Sequence, residues 1–461
     1  SVLGKLQLLA GDTAAAEAAF DLGLRAAAEA GDDELTAVLL MDLAHLLGNS
    51  RLQWARAAEL VRAANAAVVR AGNPPKLEAS FLLSRGLIAE VDGNFEAAEQ
   101  DYLRALELRR EIAGPDDIAI ALQALAMATR GLGKFDEARR HGEAAFELVR
   151  GALGEDHPIV AEAESNLALT IAVMGNVAGA RQRWEAALGR LERGLGEDAP
   201  ALANVLLNLD TASRSLGDAA AADAYLKRAL EVSTGPSNSP DNLDVRIRIA
   251  NQLVSTGKLA AGIQMLDDLS RRAEAALGNA HGTTAHAYLE LGDAYYDSAR
   301  YAEALTAWGK AVAVTRALYG ERHVAVLSLQ GRYGQAMLMT GDAKGARAVF
   351  EEVVFALEAT VNPDTPHLAT AYTNLADALI ATGDAERAIE PATKALAIRE
   401  AGAADALQTS EARFVLARAL WRARRDPRAV AMARVARDEM RAIGPRATTL
   451  PEIQRWLAGT R

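Results

Sequence analysis

Apolar side chains fall along this chain at helical intervals, with Val and Ile scattered singly and no four-to-eight-residue alternating segment bracketed by turn formers. That spacing gathers the apolar groups on one face of a helix, and the missing alternation predicts essentially no sheet. Alanine fills whole stretches, such as Ala57 to Ala71. It combines the best helix propensity with a side chain small enough for helices to approach closely. The pattern predicts an all-α protein.

The helices are punctuated by a recurring turn. A Gly followed by Asn, Asp or Lys stands at Gly93-Asn94, Gly133-Lys134, Gly175-Asn176, Gly217-Asp218, Gly257-Lys258, Gly341-Asp342 and Gly383-Asp384. Ala299-Arg300 fills the gap, so that the steps are 40 or 42 residues, and Gly11-Asp12 and Gly48-Asn49 extend the series less regularly. A Gly in the left-handed conformation closes one helix, and the Asn or Asp after it caps the next. Small residues recur seven before, five after and twelve after the Gly: Ala126, Ala138 and Ala145; Ala168, Ala180 and Ala187; Ala376, Ala388 and Ala395; Gly86, Ala98 and Ala105. These are the places where two helices of a pair, and the next pair, would touch.

Over nearly the whole chain this pattern resembles the tetratricopeptide repeat. The beat of mostly 42 residues is longer than the usual repeat of about 34. The extra residues fall in segments such as Leu153-Gly154-Glu155-Asp156-His157-Pro158, Leu195-Gly196-Glu197-Asp198-Ala199-Pro200 and Tyr319-Gly320-Glu321-Arg322-His323. With Asn166-Leu167-Ala168, Asn208-Leu209 and Asn374-Leu375-Ala376, they resemble the repeats of kinesin light chains and of many bacterial signalling proteins. The resemblance implies a right-handed α-solenoid superhelix of about eleven helix pairs, turning near residues 11, 48, 93, 133, 175, 217, 257, 299, 341, 383 and 425, with a capping helix from about Thr448 to Leu457. One array over 1–461 is expected: irregular repeats over 1–72, regular repeats of 40–42 residues over 73–443, and a capping helix and tail over 444–461. Pro158, Pro200 and Pro366 are expected to open helices, Arg51 to Arg70 to form one overlong helix, and Ser233 to Pro240 a loop with some hinge character.

Composition then narrows the function. There is no Cys, which excludes disulfides and thiolate chemistry, and a net charge of -11 works against a nucleic-acid surface. The basic stretch Arg413 to Arg441, with Arg422, Arg424 and Arg425 near a helix end, reads as a solvated C-terminal turn. No apolar run approaches the roughly 20 residues of a membrane span and no secretory signal opens the chain, so a cytoplasmic protein without membrane contact is expected. Gly133-Lys134 and Gly257-Lys258 lack the upstream Gly of a phosphate loop, and no hydrolase, zinc-protease or kinase signature occurs. Four of the seven His, at His157, His281, His323 and His367, recur at repeat starts, where capping is the expected role. Asp267-Asp268 and Glu351-Glu352 read as solvated helix faces. No catalytic residue, metal site or cofactor is expected.

The resemblance implies that the first helix of each pair lines a concave groove. On that face stand Glu162, Ser165 and Asn166; Asn204, Asn208 and Arg214; Asp244, Arg248 and Asn251; His286, Glu290, Asp293 and Tyr296; Arg332 and Gln335; and Thr373, Asn374 and Asp377. Asn and Arg suit the backbone amides and acidic groups of an extended peptide. The same residues also suit a wet solenoid face whose Asn side chains hold neighbouring repeats together, and both readings stand at this point. Toward the N-terminus the face turns apolar at Leu83, Leu87, Ile120 and Met127. The chain has eight Lys and none at these inner positions, which disfavours the clamp of chaperone-binding relatives.

Two functions follow. The first is a non-catalytic protein–protein interaction scaffold that binds a peptide or partner domain, with terminal repeats open to self-association. The second is the regulatory or substrate-recruiting region of a larger bacterial signalling enzyme such as a Ser/Thr protein kinase. The second draws on the N-terminus, where Ser1 to Leu9 falls short of a full first helix and a preceding segment is expected.

Overall fold

The computed structural model describes residues 2–9, 13–50, 53–233, 240–360, 365–401, 406–444 and 449–460. Among them are 23 α-helices, one π-helical turn and no strand. The chain divides into two compact units, Ser1–Thr283 and Thr284–Arg461.

The first unit holds seven helix pairs: α1 (Val2–Leu9) with α2 (Thr13–Ala30), α3 (Asp33–His45) with α4 (Trp54–Arg70), α5 (Pro75–Val91) with α6 (Phe95–Ile112), α7 (Pro115–Gly131) with α8 (Phe135–Leu153), α9 (Pro158–Val173) with α10 (Val177–Leu195), α11 (Leu202–Ser215) with α12 (Ala219–Ser233), and α13 (Pro240–Ser255) with α14 (Leu259–Leu277). The second holds four: α15 (Gly282–Asp297) with α16 (Tyr301–Tyr319), α17 (Val324–Met339) with α18 (Ala343–Thr360), α19 (Pro366–Ala381) with α20 (Ala385–Ala401), and α21 (Ala406–Arg424) with α22 (Arg428–Ile443). The short α23 (Leu450–Gly459) closes it against α22. Within each unit every second helix also packs on the first helix of the following pair.

The turns take the expected form. The glycines from Gly93 to Gly383 in the series all have positive φ, for example 89° at Gly175. Asn94, Asn176, Asp218 and Asp342 then accept from the N–H three residues on, at 2.9 to 3.1 Å. Ala299 and Arg425 hold the same left-handed place at φ 57° and 53°, where a side chain costs about 1 kcal/mol relative to Gly.

Some expectations are corrected. Gly48 is not a turn residue: it lies in the π-helical Leu46–Ser50 that prolongs α3, where a Cβ would stand 2.5 Å from the Trp54 ring. Its smallness serves packing. The helix that follows runs over Trp54–Arg70, 17 residues, and is not overlong. Pro158 and Pro366 open α9 and α19, but Pro200 sits in the turn ahead of α11. Gly11-Asp12, most of Ser233 to Pro240, and Thr448 lie outside the described residues.

The small positions are buried, with Ala98, Ala105, Ala138, Ala145, Ala168, Ala180 and Ala187 fully so. Seven before the turn, the residue faces the one sixteen further on, and at three of these places it is Gly against an aromatic ring. A Cβ on Gly86, Gly292 or Gly334 would stand 2.4, 2.2 or 2.6 Å from the ring of Tyr102, Trp308 or Phe350. Where the first member is Ala126 or Ala376, the second is Gly142 or Ala392. Gly334→Ala is therefore expected to cost about 1–3 kcal/mol by overpacking, and pairing it with Phe350→Leu should recover part of that. Denaturant titration of the double-mutant cycle checks this, and additive losses would contradict the contact.

Candidate functional site

In the first unit, Leu83, Leu87, Ile120 and Met127 share one hollow of about 710 Å³ with Val38 and Met41 of α3. Charged groups edge it: Lys5, Asp42, Lys76, Glu90 and Glu162. His45 stands in the wall with Nε2 3.3 Å from the buried Ser84 hydroxyl. Burial pushes the His45 pKa down, Asp42 opposes and Lys5 adds to the lowering.

Beyond the hollow the face turns polar. Glu162 is exposed at its edge, and Asn166 on α9, Asn208 on α11 and Asn251 on α13 are half-buried at matching places, 42 and 43 residues apart. None of these three amides makes a side-chain hydrogen bond among the described residues. Asn204 is engaged: its Oδ1 accepts from Arg248 at 2.7 Å. Arg214 forks between Asp210 and Asp223, 2.9 Å to each. Asp210 takes the usual small position seven before Gly217; its burial raises its pKa while Arg214 opposes.

In the second unit His286 Nε2 lies 3.3 Å from Glu290 one turn on. Asp293 accepts from the Trp308 indole at 2.9 Å and from Arg332 at 2.7 and 2.8 Å. Burial raises the Asp293 pKa against the pull of Arg332. Tyr296 meets the Tyr301 ring edge to face and the Trp308 ring at a tilt, 5.2 Å to each centroid. Gln335 donates to the buried Asn374 at 3.0 Å, and Arg418 donates to Asp377 at 2.9 Å. Arg332, Gln335 and Asn374 line one hollow of about 410 Å³.

These bonds share a geometry. Asn204–Arg248 joins α11 to α13, Asp293–Arg332 joins α15 to α17, Gln335–Asn374 joins α17 to α19, and Asp377–Arg418 joins α19 to α21. Arg130 to Thr170, at 3.3 Å, does the same from α7 to α9. Side chains at these positions bridge successive first helices inside each unit. The bridging partners Arg130, Thr170 and Arg418 were outside the sequence reading, because only their offset of 40 or 41 residues from the partner marks them.

The remaining candidates resolve locally. The Nδ1 atoms of His157, His281 and His323 accept from the N–H two residues on, at 3.3, 3.1 and 3.2 Å, whereas His367 lies inside α19 and lines the smaller hollow. Asp267 and Asp268 pair with Arg271 and Arg272 one turn on. Among the described residues no group of three or more His, Asp and Glu could hold a metal ion, and no helix is long and apolar enough to cross a membrane.

Tetratricopeptide-repeat models match residues 77–150, 117–170, 159–234 and 283–359, and a second such model matches 368–402. The chain belongs to the tetratricopeptide repeat family, whose repeats generally mediate protein–protein interaction. No curated protein matches the chain. Among solved structures it is similar to a point variant of a kinesin light chain with nearly identical TPR-like repeats from Podosopora anserina, at 20% identity and TM-score 0.39 over 44% of this chain and 97% of that one. It is also similar to BtubC (BKLC) from P. vanneervenii, at 22% identity and TM-score 0.39 over 49% and 91%.

A pH dependence follows from His45. Its folded pKa lies below its ordinary value of 6.5, so the neutral form is favoured in the fold. Stability is then full above that value and falls as acid protonates the unfolded chain first. His141 is lowered in the same direction, chiefly by burial. Unfolding free energy measured from about pH 7.5 to 5.5 should fall, with His45 contributing a small part because its side chain is still reached by solvent. His45→Gln should flatten that slope; an unchanged slope would refute the assignment.

Proposed function

We propose that the chain is a non-catalytic cytoplasmic scaffold that grips an extended segment of a partner protein along the first helices of its first unit. The observation that carries this reading is the series Asn166, Asn208 and Asn251. Each amide offers one acceptor and two donor hydrogens, the complement of a peptide backbone unit, and none makes a side-chain hydrogen bond among the described residues. A half-buried amide without a partner gains most from a ligand that supplies both halves of the bond.

The neighbouring hollow completes the site. Its apolar wall would take one or two hydrophobic side chains of the same segment, while Glu162 stands where the apolar and polar stretches meet. The bridging residues, Asn204, Arg248, Asp293, Arg332, Gln335, Asn374 and Asp377, then serve as the frame that sets the distance between repeats. Arg214, His286, Glu290 and Tyr296 are engaged within their own helix pairs. Backbone recognition of this kind is tolerant of ligand sequence, and selectivity would come from the apolar hollow.

Peptides selected on the full chain from a displayed library test the proposal by fluorescence anisotropy. Asn208→Ala is expected to weaken the selected peptides by about 3- to 10-fold, the range for one net hydrogen bond, without lowering the melting temperature. The triple Ala variant at 166, 208 and 251 should bind about 100-fold more weakly or not at all. Equal affinity for the triple variant would sink the groove reading.

A further inference from the structure

The cleft between α21 and α23, about 500 Å³, is lined by Arg418, Trp421, Arg422, Arg425, Glu452 and Trp456. Its arginine-rich rim is only partly neutralised. Arg424 pairs with Glu386 and Arg428 with Asp426, both away from the cleft. Arg418 sits between Asp377 at 2.9 Å and Glu452 at 3.5 Å. Arg422 and Arg425 have no carboxylate partner among the described residues, so two guanidinium groups of the rim are left over after Arg418 is paired. The floor is aromatic: the Trp421 and Trp456 rings meet edge to face at 6.1 Å, and the Arg425 guanidinium lies 5.2 Å over Trp421.

Arg425 also stands 42 residues after Gly383, at the turn position where the regular repeats use Gly, and it holds φ 53°. A side chain kept in the left-handed region at a cleft edge is the kind of backbone strain that accompanies binding sites. Ala299 shows that a small side chain is accommodated at this position, but only Arg425 delivers a charged group into a cavity.

We propose that this cleft binds a short acidic peptide segment, with carboxylates on Arg422 and Arg425 and an adjoining apolar side chain against Trp421 and Trp456. Bidentate guanidinium geometry matches a carboxylate, and the net charge of -11 on the whole chain opposes a long polyanion, which leaves a ligand of few charges. The site is separate from the asparagine series of the first unit and stands or falls independently of it.

The test uses the full chain and fluorescein-labelled hexapeptides of alternating Glu and Leu, with Lys and phosphoserine counterparts, followed by anisotropy at low salt. The Glu peptide should bind and the Lys peptide should not. Arg422→Ala and Arg425→Gly should each weaken binding by about tenfold, while Arg424→Ala leaves it unchanged. Because Gly suits the backbone at 425, Arg425→Gly should keep or raise the melting temperature, which separates lost binding from lost fold. Undiminished affinity in the Arg422→Ala, Arg425→Gly double variant overturns the proposal. So does a phosphoserine peptide binding more than tenfold tighter than the Glu peptide, since that would define a phosphate site.

Discussion

The contact on which the rest depends is the one across each helix pair, between the residue seven before the turn and the residue nine after it. It fixes how near two helices lie, and with it which faces remain for the next pair and for solvent. Glycine stands opposite an aromatic ring in Gly86 with Tyr102 and Gly292 with Trp308, where any side chain would meet the ring. Close packing tolerates trades of volume far better than net gains or losses. Two large rings add a polar tie: the Trp184 and Trp308 indoles each donate to a carbonyl nineteen residues back, on Ser165 and Leu289. The pair is thus set by shape first, and the hydrogen bond fixes the ring within it.

With that distance fixed, successive first helices come near enough for side chains to bridge them. Their energies differ by exposure. Arg332 is 49% exposed, and a pair with one end in water contributes about 0–1 kcal/mol. Asp293 matters more, because the same carboxylate accepts the shorter bond from the buried Trp308 indole, which without it would keep only the 3.3 Å bond to the Leu289 carbonyl. The polar face therefore contains two kinds of residue that look alike in sequence. Asn374 is buried and holds a neighbour, whereas Asn208 is half-buried and its amide makes no side-chain hydrogen bond among the described residues.

The parts of this structure that were legible from sequence are those governed by local geometry. A left-handed Gly followed by a capping Asn is a backbone requirement, so the turns from Gly93 to Gly383 could be read from spacing, and Ala299 from its place in the beat. Gly48 could not be read in that way, because the same residue type serves a turn and a close contact with Trp54, and only the partner distinguishes them. The candidate site was half legible. Side-chain type and position placed Asn204, Asp293 and Gln335 on the inner face, but whether an amide is free or bonded depends on a residue about 40 positions away. The Arg422 to Arg425 stretch shows the same limit, since charge alone suggested a solvated helix end and only the packing of α23 turns two of its guanidinium groups into a cavity wall.

That packing has a cause in length. Elsewhere in the second unit the helix that follows a pair has 16 or 19 residues, as in α17, α19 and α21. α23 has 10, about 15 Å of helix against about 24 Å for one of 16 residues. It buries Ile453 completely and sets Trp456 against Phe414 and Trp421, which closes the apolar face of the last pair. It is too short to cover the end of α21 as well. A full first helix there would meet the inner-face groups of α21 with groups of its own, as α17 meets α15; the short cap leaves Arg422 and Arg425 unanswered. The open cleft is thus the direct consequence of packing the last pair against a helix of 10 residues, which covers the core at Ile453 and leaves the polar end of α21 open.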